Sequence, residues 1–147
     1  MKRIERIAVH EARDAGRRAA VILARRPSVR LVFLFGSTAD PTAREVRDVD
    51  LAVLTDAPLA LDERLRLGAE IETATGAPTD LIFLDDAPVS LAREVVDHGT
   101  CLFARSPEEE VEFVTRARAR YWDFRPFLDE QWRLSAARQE ERRGTQA

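Results

Sequence analysis

LVFLFGSTADPTAREVRDVDLAVL, residues 31–54, sets two apolar runs around a polar, arginine-bearing segment. LVFLF (31–35) is continuous in its hydrophobicity and stops at Gly36-Ser37. That pattern predicts a central strand buried on both faces. DVDLAVL (48–54) predicts a second strand, and its first three residues pose a physical question. Asp48 and Asp50 sit at i and i+2, so on a strand their carboxylates share one face, with α-carbons about 6.6 Å apart. At an effective dielectric near 20 two unit charges at that range repel by roughly 2–3 kcal/mol. A divalent cation between them offsets the repulsion, and Mg²⁺ favours a few carboxylates together with water and phosphate oxygens.

The flanking sequence predicts helices interleaved with strands. Residues 3–25 carry Ile4, Ile7, Ala8, Ala15, Ala19, Ile22 and Leu23 near helical spacing, ahead of Pro27. A second helix is expected over 58–75, opened near Pro58 and closed by Gly76. TDLIFLDD (79–86) reads as a third strand, PVSLAREVVDHG (88–99) as a third helix and TCLFA (100–104) as an edge strand. Segment 38–47 reads as loop with at most one helical turn. From Ser106 the chain is helical again, with three glutamates in the first turn suiting the positive end of the dipole. Phe113, Ala117, Tyr121 and Phe124 form one apolar face. Pro126 is expected to break this helix, Leu128, Trp132 and Leu134 to belong to a second piece, and ERRGTQA to fray. The fold class is therefore α/β, a small mixed sheet with flanking helices and a C-terminal helical extension. One domain is expected over 1–147: an N-terminal helix (1–27), a sheet core (28–105) and C-terminal helices (106–147). Whether the first two strands form a hairpin or a crossover pair is open at this level.

Composition narrows the function. With 45% hydrophobic and 33% charged residues the chain reads as soluble and globular. A net charge of −3 argues against wrapping nucleic acid by bulk electrostatics. Arg116, Arg118, Arg120 and Arg125 spread around their helix and read as a solvated face. Cys101 is the single cysteine, which excludes an internal disulfide and a thiolate cage, and His10 and His98 have no partner at ligand spacing. No apolar run reaches the roughly 20 residues of a membrane span, and MKRIERIAVHEARDAG lacks a signal-peptide core, so a cytoplasmic protein is expected.

Two further features bear on the carboxylate pair. Gly36-Ser37 ends a buried strand where glycine lets a phosphate approach the backbone and serine adds a hydroxyl donor. Asp80 opens a third apolar alternation (Leu81, Ile82, Phe83, Leu84), whereas Asp85 and Asp86 precede Pro88 and read as turn and helix-capping residues. A phosphate-cradling turn beside three strand-borne carboxylates suits two-metal phosphoryl or nucleotidyl transfer.

Gly36-Ser37, ten residues, then Asp48-Val49-Asp50 and LAVL resembles the signature of the DNA polymerase β-like nucleotidyltransferase superfamily. More narrowly the chain is similar to the minimal nucleotidyltransferases, the antitoxin half of HEPN/MNT toxin–antitoxin pairs. Asp80 falls at the position of that family's third carboxylate, and PVSLAREVVDHGTCLFARSPEEEVEF resembles its helix–strand–helix continuation, so the likeness covers roughly residues 28–125. The resemblance implies Asp48, Asp50 and Asp80 as catalytic metal ligands for two Mg²⁺ ions, with Asp80 helping to activate the incoming hydroxyl. It implies Gly36 and Ser37 as the seat of ATP. The implied reaction is AMP transfer from ATP to a tyrosine hydroxyl of a HEPN RNase toxin. Two other readings stay open: a non-catalytic antitoxin acting by direct binding, and a small-molecule nucleotidyltransferase. Where the family often continues Gly-Ser-Arg-Ala-x-Gly, this chain has Thr38-Ala39-Asp40-Pro41. The lost cation and added anion are expected to weaken triphosphate binding and activity unless Arg44 or Arg47 compensates.

Overall fold

The structure, a computed structural model, describes residues 5–145. A two-residue strand β1 (Ile7–Ala8) leads directly into helix α1 (Val9–Ala24), followed by β2 (Val29–Leu34). A 3-10 turn (Gly36–Ala39) and the short strand β3 (Glu45–Val46) precede β4 (Val49–Thr55). Then come α2 (Leu61–Thr75), β5 (Thr79–Phe83), α3 (Val89–His98), β6 (Thr100–Ala104) and α4 (Pro107–Thr145).

The main sheet has the order β5-β4-β2-β6. β2 pairs antiparallel with β4 and β6, while β4 and β5 run parallel through the α2 crossover. The sheet is therefore mixed, as expected, and the first two long strands are an antiparallel pair joined by a folded connection. LVFLF takes the central position because both of its faces are buried. Val32 and Leu34 meet the side covered by α1 and α2, together with Val49, Leu51 and Val53. Leu31, Phe33 and Phe35 meet Ala52, Leu54 and Val95 on the side of α3 and α4. Truncating a fully buried leucine such as Leu51, on the side of α1 and α2, costs about 2–5 kcal/mol.

The face of α1 is built from small residues, Ala12, Ala15, Gly16, Ala19 and Ala20. A β-carbon at Gly16 would lie 3.0 Å from the Leu34 side chain and 3.4 Å from that of Val49. Glycine therefore lets α1 press onto the strand ends that carry the Gly-Ser turn and the Asp-x-Asp segment. Helix α2 ends on Gly76 at φ +71, whose N–H bonds the Glu72 carbonyl as a left-handed cap.

Several boundaries differ from those read in the sequence. The first helix begins at Val9 because residues 7–8 pair with Glu45–Val46, and the expected start at residue 3 lies outside the described residues. Helix α2 starts at Leu61, three residues after Pro58. Asp86 does not cap α3, whose N-cap is Pro88 with no side-chain bond; it pairs instead with Arg64 at 2.9 Å. Asp85 accepts from the Thr55 hydroxyl at 2.8 Å, tying the end of β4 to the turn after β5.

The largest correction concerns α4, which runs unbroken through Pro126 for 39 residues and stays helical to Thr145 instead of fraying from residue 141. Proline removes one N–H and so frees the Trp122 carbonyl, but this stretch of helix is exposed and water can satisfy that group. The start of α4 is as expected: the Glu109 N–H donates to Ser106 Oγ at 3.3 Å. The Glu109 carboxylate is held by Arg105 and Arg30, and Arg105 also grips Asp56 with two bonds of 2.9 Å. This network joins the start of α4 to the end of the sheet opposite the acidic cluster. Phe113 and Ala117 pack inward, and Arg93 lies over the Tyr121 ring at 4.4 Å. Beyond that point the apolar face does not dock: Trp122, Phe124, Phe127, Trp132 and Leu134 are exposed, Trp132 to 77%.

Candidate functional site

The parallel pairing of β4 and β5 decides which carboxylates meet. Asp50 and Asp80 are register partners, and Asp48 immediately precedes β4. On β4, Asp50 alternates with the inward Val49 and Leu51, so it faces the α3 and α4 side with Ala52 and Leu54. The three aspartates each offer an oxygen within 4.8 Å of the others, Asp48 and Asp50 part-buried and Asp80 exposed. All three carboxylates singled out in the sequence therefore come together, and Asp85 and Asp86 lie outside the cluster.

Burial pushes the Asp50 carboxyl up to about 6, and the charges of Asp48 and Asp80 push in the same direction. Both effects disfavour its ionised form. A cation bound among the three oxygens would reverse that balance, because its charge outweighs the loss of hydration. The donor set, three carboxylates open to solvent on one side, is the hard-oxygen type that suits divalent ions such as magnesium.

Gly36 sits against this cluster. Its φ is +64, and a β-carbon there would lie 2.5 Å from Asp50 Oδ2. Glycine is required twice over, for the left-handed backbone and for the closeness of the Asp50 carboxylate. The Phe35 N–H donates to the Asp50 carbonyl at 3.1 Å, so the strand end and the acidic segment are tied just before the turn. Gly36 and Ser37 are both exposed beside the carboxylates.

Thr38 and Arg13 belong to the same region, and neither stood out in the sequence. Thr38 is fully buried. Its hydroxyl donates to the Asp48 carbonyl and accepts from the Asp50 N–H, both at 3.3 Å. One side chain thus links the turn to the backbone of both aspartates. Thr38 is therefore a bridge in the fold. Arg13, from α1, donates through Nε to the Thr38 carbonyl at 2.9 Å and through an η nitrogen to the Asp40 carbonyl at 2.8 Å. Asp40 folds back on its own loop, accepting from the Thr42 N–H and hydroxyl at 2.9 and 2.8 Å. Those bonds hold its carboxyl below the ordinary range, with Arg13 adding a smaller pull. Arg44 and Arg47 are exposed, and their side chains make no hydrogen bond or ion pair among the described residues.

With this geometry, residues 18–108 match the family described as polymerase beta, nucleotidyltransferase, a span that holds the turn and all three aspartates. The chain belongs to that nucleotidyltransferase family. Among curated proteins it is similar to the protein adenylyltransferase MntA of Shewanella oneidensis, 31% identical over 85 residues. That alignment covers 58% of this chain and 61% of MntA, so the chain spans less than two thirds of that relative. Among solved structures it resembles a toxin–antitoxin with AMP-PNP, at 24% identity and a TM-score of 0.68, covering 79% of this chain and 98% of the other. It also resembles a chain of the tri-AMPylated Shewanella oneidensis HEPN toxin in complex with its MNT antitoxin, at 23% identity and a TM-score of 0.64, covering 81% and 98%. At these identities the two structures establish a shared nucleotidyltransferase fold. The family span stops just inside α4, leaving most of that helix as an addition to the nucleotidyltransferase core.

Proposed function

We propose that the chain is an antitoxin adenylyltransferase that transfers AMP from ATP to a tyrosine hydroxyl of a HEPN RNase toxin. The observation that carries this reading is the convergence of Asp48, Asp50 and Asp80 within 4.8 Å beside the open Gly36 turn. Support for an adenine nucleotide and a HEPN toxin as substrates comes from its relatives, an adenylyltransferase, an antitoxin in complex with a tri-AMPylated HEPN toxin and a toxin–antitoxin with AMP-PNP.

Asp48, Asp50 and Asp80 would hold two Mg²⁺ ions. When bound, these ions supply charge neutralisation for the triphosphate and acidify the attacking hydroxyl. The chain's own residues do the rest. Gly36 leaves the backbone bare, so a phosphate can approach it without meeting a side chain, and Ser37 adds a hydroxyl donor. Asp80, the most exposed of the three, receives the proton as the tyrosine oxygen bonds to the α-phosphorus. The bond from that phosphorus to its bridging oxygen breaks, and pyrophosphate leaves with the electron pair. A cytoplasmic setting goes with an ATP-dependent reaction on an intracellular RNase, and no helix among the described residues is long and apolar enough to cross a membrane.

A second reading, neutralisation by contact without chemistry, draws support from the exposed aromatics of α4. Incubation with labelled ATP, Mg²⁺ and the product of the adjacent gene separates the readings. Label is expected on a partner tyrosine, and Asp48→Asn is expected to abolish it together with neutralisation. Full neutralisation by Asp48→Asn would overturn the enzymatic reading in favour of contact.

A further inference from the structure

From Gly36 to Pro41 the turn carries no basic residue, and the side chains of Arg44 and Arg47, further along the same loop, make no hydrogen bond to it. A different cation does. Arg13 comes from one turn before Gly16, where α1 is so near Leu34 and Val49 that a β-carbon would meet their side chains. From there its planar guanidinium makes two bonds to the far side of the 3-10 turn, on the carbonyls of Thr38 and Asp40. Among the described residues it forms no direct ion pair with a carboxylate; both of its bonds go to backbone carbonyls.

We propose that Arg13 is a positioning residue for the nucleotide, a cation delivered by α1 that fixes the Gly36–Ala39 turn and, through Thr38, the backbone of Asp48 and Asp50. The inference rests on the reading of this turn as the nucleotide seat. Its action is indirect. The two bonds fix where Thr38 sits, and Thr38 fixes the Asp50 N–H and the Asp48 carbonyl. The same bonds anchor the 3-10 turn that begins at Gly36, beside the Asp50 carboxylate. Two donors from one planar group matter here, because a lysine ammonium is a point charge that cannot reproduce the fork.

The test is equilibrium binding of AMP-PNP in the presence of Mg²⁺ to the full chain, for wild type, Arg13→Lys, Arg13→Ala and Arg17→Ala. Arg17 is the control: it lies one turn further along α1, exposed and without a side-chain partner among the described residues. Arg13→Ala is expected to raise Kd about ten-fold or more, the usual effect of removing a residue that orients ligands from behind. Arg13→Lys keeps the charge and is expected to recover only part of that loss, with a thermal midpoint equal to wild type; Arg17→Ala is expected to bind as wild type does. Wild-type affinity in Arg13→Lys and Arg13→Ala would overturn the inference while leaving the nucleotide seat intact. An affinity loss that tracks the thermal midpoint across the variants would also overturn it, in favour of a purely structural role. Absence of Mg²⁺-dependent binding by the wild type would overturn the seat itself, and the inference with it.

Discussion

Replacing Asp50 with asparagine should make the metal-free protein more stable at neutral pH, although it removes a residue at the centre of the site. The Asp50 carboxyl rises from 3.8 to about 6 on folding, first through burial and then through Asp48 and Asp80. Taken at face value that rise corresponds to about 3 kcal/mol. The side chain is only part-buried, and discounting for solvent screening leaves about 1–2 kcal/mol. The sign follows from proton counting. Between the unfolded value near 4 and the folded value near 6 the folded state binds more protons, so stability falls as pH rises through that window. Thermal unfolding of wild type and Asp50→Asn, followed from pH 4 to 8 in chelator, should give curves that coincide near pH 4 and separate through pH 6. Above pH 7 the variant should melt higher by about 3–6 °C, given the steepness expected for a chain of this size. Adding millimolar Mg²⁺ should raise the wild type and not the variant, shrinking or inverting the gap. A variant that melts below wild type at pH 8 without divalent ions would refute the claim that these carboxylates repel one another in the folded state.

Two other substitutions probe the frame around the cluster. Thr38→Val keeps the shape but strands the Asp50 N–H, so it should cost about 1–3 kcal/mol in denaturant titration, whereas Thr38→Ser should stay close to wild type. Pro126→Ala should increase the far-ultraviolet helical signal and leave the midpoint of the sheet domain unchanged, because it restores one backbone bond in a part of α4 that does not pack on the core.

Legibility in the sequence followed the length scale of each signal. Strand β2 announces itself as an unbroken apolar run because both of its faces are buried, and the helix α3 through the period of its one buried face. The Asp48-x-Asp50 pair was readable because period two places both carboxylates together whatever the partner strand does. Asp80 was placed on a strand by its apolar alternation, but its meeting with Asp50 depends on the register of a parallel pair separated by the whole of α2. The ribbon of Ile7–Ala8 with Glu45–Val46 left no trace, since two residues carry no period. Pro126 misled because its cost is steep in a packed helix and modest where water can reach the freed carbonyl. Thr38 and Arg13 were missed for a shared reason. Each acts through backbone groups of other segments, and backbone partners have no residue-type signature. The one sequence cue was the small-residue face around Gly16, which marks where α1 comes close enough for Arg13 to reach across.

The length of α4 has a hydrodynamic consequence. At 1.5 Å per residue its 39 residues reach about 58 Å, while a globule of this chain length has a radius of gyration of only about 15 Å. The free molecule is therefore a bead on a rod: it should tumble as something larger than 16.6 kDa and sediment more slowly than a compact globule of that mass. An unsupported helical stretch of some twenty residues is marginal in water. Its amides should exchange with solvent far faster than those of β2 and β4, and the degree to which another surface slows that exchange would report how much of the rod becomes clasped.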